Sequence, residues 1–87
     1  MAAIRFLHVA DLHLDSPFKG LSSIPKNRWQ EIRESTFHAF ENMIQYAVTT
    51  KPDFVLIAGD IYDGENRSLR AQHLFQRGME ALREVGI

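Results

Sequence analysis

Asp11 and His13 stand one residue apart at the end of a β-prone apolar run, IRFLHVADLHLD over residues 4–15. Asp60 closes a second such run, FVLIAGD over 54–60. Two carboxylates and an imidazole suit a divalent transition metal such as Mn²⁺, Fe²⁺ or Zn²⁺. Asp-x-His by itself recurs by chance. What raises it is position: in an open parallel sheet, functional groups gather outside the carboxyl ends of the strands, where all three residues fall. The two oxygens of Asp60 can bridge two cations roughly 3.5–4 Å apart. Such a pair binds a phosphoryl oxygen, lowers the pKa of a bound water and stabilises developing charge.

Three donors cannot serve two such ions, each of which takes about four to six. Several must therefore come from outside these 87 residues. Asp15, Asp63, Glu65 and Asn66 are the further candidates within the chain. Asp63 is suited to orient a ligand or the loop by hydrogen bonds, or equally to form an Asx-turn beside Gly64. Arg67 has two readings, a phosphate contact or a surface ion pair, and Glu65 and Asn66 read as ordinary loop polars. Lys19 and Lys26 add positive charge nearby without amounting to a DNA tract.

The elements that must position these residues follow from the apolar pattern. Residues 3–10 predict a first strand, clustered without strict alternation and so expected to be buried on both faces, with His8 as a satisfied core group. Residues 11–27 read as a long loop, broken by Pro17, Gly20 and Pro25 and anchored by Phe18. A helix is expected from about 25 to 50, burying Trp29, Ile32, Phe37, Phe40, Ile44, Ala47 and Val48. Ser22 or Ser23 would cap it, while Arg28, Glu31, Glu34, Glu41 and Gln45 form a solvated face and His38 lies at the boundary. Lys51-Pro52-Asp53 ends it, because a residue before proline leaves the α region. A second strand over 54–60 then gives β-α-β with a parallel pair and a right-handed crossover. Ser68 caps a second helix to about Val85, with Leu69, Phe75, Met79 and Leu82 on its buried stripe and Gly86 just past its end. The pattern is β-α-β-α, and Ile87 is expected to open a third strand, as in a domain cut mid-pattern.

Composition narrows the classes further. A hydrophobic share of 45% and a charged share of 24% are those of a globular chain. A net charge of −1 argues against a stand-alone DNA-binding module, though not against an enzyme that reaches phosphates through metal ions. The absence of cysteine excludes disulfides and thiolate zinc sites. No signal peptide or membrane span is readable, so a cytoplasmic setting is expected.

The paired motifs Asp11-x-His13 and Gly59-Asp60-x-x-Asp63 resemble the first two motifs of the calcineurin-like metallophosphoesterases. The fuller strings FLHVADLHLDSPF and DFVLIAGDIYDGENRS are similar to the bacterial DNA repair exonuclease branch, the SbcD-type nuclease subunits. The resemblance implies the N-terminal β-α-β-α portion of a four-layer α/β/β/α sandwich with a dinuclear site, often Mn²⁺-loaded. It makes Asp11 and His13 ligands of the first ion, Asp60 the bridge and Asp63 a supporting residue. The family's Gly-Asn-His-Asp/Glu, Gly-His and Gly-His-x-His motifs are not among these residues. No catalytic group beyond metal ligands is therefore expected here, and the 87 residues alone should be inactive. The activity implied is a two-metal DNA exonuclease, with DNA as substrate and a coiled-coil SbcC-like ATPase as partner. The alternatives are the same chemistry on nucleotides, phosphoproteins or small phosphodiesters, or a metal-free scaffold of the same fold. A haloacid-dehalogenase-type site would have Asp-x-Asp where this chain has His13, and no Gly-x-Gly-x-x-Gly or Walker-type loop follows either strand.

Overall fold

β-branched and aromatic residues in FLHVA and FVLIA favour extended backbone, and each run forms one strand: β1 (Phe6–Ala10) and β2 (Phe54–Ala58). The computed structural model describes residues 3–16, 25–62 and 68–87. The strands pair in parallel, in register from Phe6 opposite Phe54 to Ala10 opposite Ala58. Between them runs α1 (Lys26–Thr50), and after them α2 (Leu69–Glu84), so the β-α-β-α order is as expected. Both strands are shorter than the sequence implies, since the polar residues at their ends pair outside the regular ladder.

The core forms where the helices meet the sheet and the loops beyond it. Phe37, Phe40, Ile44 and Ala47 of α1 and Ala71 and Leu82 of α2 are buried with Leu14, and Leu7 and Val55 pack against them from the sheet. Each large side chain so buried contributes about 1.5–3 kcal/mol. Gly78 sets the spacing of the helices. A Cβ there would lie 2.5 Å from Phe40 Cζ and 2.6 Å from Phe40 Cε2, so the Phe40 ring occupies the room a side chain would need.

The helix ends carry much of their own specification. Ser68 Oγ accepts a 3.0 Å hydrogen bond from Ala71 N–H, the N-cap read from sequence. At the other end Ile87 N–H donates to Leu82 O and Gly86 N–H to Arg83 O, a Schellman closure around Gly86. Ser22, Ser23 and Phe18 lie outside the described residues, and Pro25 occupies the N-cap position of α1 without a side-chain cap bond. α1 ends in a left-handed residue, Lys51 (φ 50°), rather than the extended one that the following proline favours. Lys51 N–H is held there by Ala47 O. Arg5 joins this turn to β1: its backbone N–H donates to Asp53 Oδ2 and its guanidinium to Thr50 O.

Several burial expectations need correction. β1 is covered on one face only among the described residues. Phe6, His8 and Ala10 are exposed on the other, so His8 is not a core group. Phe6 stacks on Phe54 with ring centroids 5.0 Å apart, and Leu56 extends this open apolar face. Trp29 is exposed because it lies a turn before the helix reaches the core, and Leu69 is 83% exposed at the first position of α2. Glu34 is half-buried rather than on a fully solvated face: its carboxylate accepts from both terminal guanidinium nitrogens of Arg70, bridging α1 to α2. The Arg70 guanidinium also lies 4.5 Å from the centre of the Phe37 ring. It holds the Glu34 carboxyl below the usual carboxylate range, chiefly through these hydrogen bonds. Among the described residues no helix is long and apolar enough to cross a membrane.

Candidate metal centre

The chain does not diverge at the ends of the two strands. Asp11 N–H donates to Ala58 O at 2.9 Å, His13 N–H to Asp60 O at 3.2 Å and Leu14 N–H to Ile61 O at 2.9 Å. An isolated parallel bridge joins Leu14 to Tyr62. The two polar segments are thus zipped together for four residues past the regular sheet, which brings Asp11, His13 and Asp60 to one edge.

The first segment achieves this with an unusual backbone. Asp11 (φ 54°), His13 (φ 42°) and Asp15 (φ 61°) are all left-handed. Asp and His tolerate this region better than most residues, and such conformations persist only where surrounding structure enforces them. The alternation leaves Leu12 half-buried and Leu14 fully buried, while Asp11 is exposed and His13 half-buried. Leu14 is the apolar pin of the loop. Tyr62 pins the second segment by meeting Phe75 edge-on at 6.3 Å, and Phe75 packs in turn on Phe40.

Asp11 and Asp60 meet through Gly59. Asp11 Oδ1 accepts a 3.3 Å hydrogen bond from Asp60 N–H. Gly59 is left-handed (φ 78°), and a Cβ on it would fall inside contact distance of Asp11 Oδ1 and 2.9 Å from Asp11 Cγ. The carboxylate therefore lies in the space that the missing side chain leaves. This cradle and the oxygen and nitrogen donor types fit a hard or borderline divalent cation. Among the described residues no three His, Asp or Glu side chains are grouped closely enough to hold an ion. The geometry brings Asp11 to Asp60 and ties His13 to Asp60 through the backbone, without closing the three side chains into a cage. Asp63, Glu65, Asn66 and Arg67 lie outside the described residues.

Asp15, weighed from sequence as a further donor, is committed to the body of the protein. It is 8% exposed, its Oδ1 accepts from Arg33 Nε at 3.0 Å, and its N–H donates to Thr36 Oγ1 at 2.9 Å. The Thr36 hydroxyl donates onward to Arg33 O at 2.7 Å. Sequence reasoning passed over Arg33 and Thr36. The available signal was a charged residue four positions before Phe37 and seven before Phe40, on the apolar stripe itself.

The chain is 50% identical over 84 residues to the uncharacterized metallophosphoesterase YhaO of Bacillus subtilis, covering 97% of this chain and 21% of that protein. It is 36% identical over 83 residues to the DNA double-strand break repair protein Mre11 of Aeropyrum pernix, covering 95% of this chain and 18% of the relative. The Mre11 protein of Methanosarcina acetivorans is 39% identical over 67 residues, 76% of this chain and 9% of its own length. The chain thus spans about a fifth or less of the length of these relatives. No solved structure matches it. Residues 4–85 match the calcineurin-like phosphoesterase family. The β-α-β-α order is consistent with the N-terminal portion of that family's α/β fold. With nearly the whole chain inside the match, and the Asp11 carboxylate hydrogen-bonded to the backbone of Asp60 at the adjacent strand end, the chain belongs to the calcineurin-like phosphoesterases.

Proposed function

We propose that this chain supplies one wall of a two-metal phosphodiesterase site, and that the intact protein is an exonuclease acting on DNA. The observation carrying this reading is the hydrogen bond from Asp60 N–H to Asp11 Oδ1 across Gly59, which holds the Asp11 carboxylate against the backbone of Asp60 at the neighbouring strand end. In this reading Asp11 and His13 would hold a first divalent ion and Asp60 would be shared with a second, Mn²⁺ ahead of Fe²⁺ or Zn²⁺. A carboxylate has about four lone-pair sites, so the bond from Asp60 N–H leaves Asp11 acceptor capacity for a cation. The metal pair, when bound, supplies an activated water and positive charge beside the phosphoryl oxygens. The chain's own residues would fix where that charge sits: the zipped segments hold the backbones of Asp11 and Asp60 at one edge, and Leu14 and Tyr62 anchor them to the core. Asp63 would steady the loop and Arg67 would face a phosphate.

DNA as substrate is supported by the two Mre11 relatives, whose names specify double-strand break repair. A coiled-coil SbcC-like ATPase partner and a cytoplasmic setting belong to the same reading. Isothermal titration with Mn²⁺ on the intact protein, together with cleavage of linear duplex DNA, tests it. Asp60→Asn should abolish both tight Mn²⁺ binding and cleavage. The 87 residues alone should cleave nothing, and robust cleavage by them would refute the division of the site. A second reading is the same chemistry on nucleotides or small phosphodiesters, compatible with the YhaO relative, which is named only as a metallophosphoesterase. Strong activity on mononucleotide esters with none on DNA ends would establish it.

A further inference from the structure

Asp15 is a buried carboxylate that the proposed chemistry does not use, two residues beyond His13 and in a left-handed conformation. Its partners come from one turn of α1. Arg33 Nε donates to its Oδ1 at 3.0 Å, and Thr36 Oγ1 accepts its backbone N–H at 2.9 Å. The Asp15 side chain is 11% exposed and that of Arg33 37% exposed, so the pair sits at the core boundary, where water screens it less than on the surface. Thr36 is itself buried, and its hydroxyl donates to Arg33 O and accepts from the Asp15 backbone N–H. One side chain and one backbone group of the loop are therefore fixed to two α1 residues three apart.

Between this latch and β1 lie only Asp11, Leu12, His13 and Leu14. Ala58 O holds the start of that span, through Asp11 N–H, and Ile61 O its end, through Leu14 N–H. Holding Asp15 as well fixes the exit of the span, and so leaves His13 little freedom of direction. We propose that Arg33 and Thr36, acting through Asp15, are positioning residues for the His13 side of the metal centre. This rests on the reading of Asp11, His13 and Asp60 as ligands. It predicts that loosening the latch weakens metal binding more than it weakens the fold.

The test uses the intact protein and five variants. Arg33→Met removes the guanidinium but keeps the stem, and Thr36→Val removes the hydroxyl. Gly78→Ala disturbs core packing at Phe40 without touching Asp15, Arg33 or Thr36, and Asp60→Asn removes a proposed ligand. Mn²⁺ affinity by titration should fall roughly 10-fold or more in both Arg33→Met and Thr36→Val, the scale seen when groups supporting ligands are lost. Gly78→Ala, at a comparable loss of melting temperature, should keep wild-type affinity. In metal-free protein the His13 ring resonances should shift in Arg33→Met and not in Gly78→Ala. Arg33→Lys, which keeps the charge and the fold, should fall between wild type and Arg33→Met. Wild-type affinity and unshifted His13 resonances in the latch variants, with binding lost in Asp60→Asn, would overturn the latch and leave the site intact. Unaltered Mn²⁺ binding in Asp60→Asn would instead remove the site on which the latch depends.

Discussion

Replacing Gly59 with alanine tests the join between the Asp11 carboxylate and the second strand end at its tightest point. Gly59 has φ 78°, and an alanine there carries a left-handed penalty of roughly 1–2 kcal/mol. The new Cβ would also enter the space of the Asp11 carboxylate, lying 2.9 Å from its Cγ. Asp11 is exposed, so the carboxylate can swing toward solvent and relieve the clash cheaply. What it forfeits is the bond from Asp60 N–H, which at 3.3 Å is long and contributes about 0.5–1.5 kcal/mol. The stability loss is therefore expected at about 2–3 kcal/mol, read from the denaturation midpoint of the intact protein. The larger effect falls on Mn²⁺ affinity, because the swing carries a proposed ligand away from Asp60. Gly59→Asn separates the two causes. Asparagine tolerates a left-handed backbone but still brings a Cβ, so its stability loss should be smaller while its affinity loss matches that of alanine. A Gly59→Ala protein within about 0.5 kcal/mol of wild type, with unchanged Mn²⁺ affinity, would refute the cradle.

The remaining expectations concern the scaffold. Gly78→Ala gains about 1 kcal/mol of helix propensity but drives a Cβ into the buried Phe40 ring, an overpacking cost of about 1–3 kcal/mol. The sum predicts a lower melting temperature, and a higher one would mean that the ring yields freely. Glu34→Gln should cost stability at neutral pH, since Arg70 holds the Glu34 carboxyl below its ordinary range. A lowered folded pKa stabilises above the unfolded value and is lost as pH falls through the folded one. The difference between wild type and Glu34→Gln should therefore close as urea midpoints are taken from neutral pH to well below the glutamate range. Ser68→Ala should cost about 1 kcal/mol through the loss of the cap to Ala71 N–H, with Ser68→Asp near wild type in thermal denaturation. The four-layer arrangement that the resemblance implies would lay a second sheet on the open face, and it predicts that Leu56→Ala costs about 2–5 kcal/mol in the intact protein. In the 87 residues alone, where Leu56 is 48% exposed, the cost should be far smaller.

The order of elements was legible because each signal for it is local. Apolar runs ending in Ala10-Asp11 and Gly59-Asp60, serine at 68 and glycine at 86 act within a few residues of their own position, and the structure follows them. Burial is not local, and there the reading failed in two directions. Trp29, His8 and Leu69 are residues that can be buried, but periodicity reports that capacity without reporting which layer arrives to cover them. Phe6, Phe54 and Leu56 make the same point for a whole face: parallel strands are read as covered on both sides, yet only the helix side is covered among the described residues.

The opposite failure is more useful. Arg33, Glu34 and Thr36 were passed over or assigned to solvent because they are polar, although they continue toward the N-terminus the stripe that buries Phe37 and Phe40. The demand for a partner is strongest at Thr36, which is buried and would cost about 1–3 kcal/mol if left unpaired. Partners for these polar groups cannot come from the helix's own apolar neighbours. Here they come from the segment after β1, through Asp15, and from the first turn of α2, through Arg70. Each pairing therefore fastens to α1 a chain segment that adjoins one of the two strand-end clusters. Charges interrupting the core stripe of the crossover helix mark where the loops beyond the sheet are held, and in this fold those loops carry Asp11, His13 and Asp60.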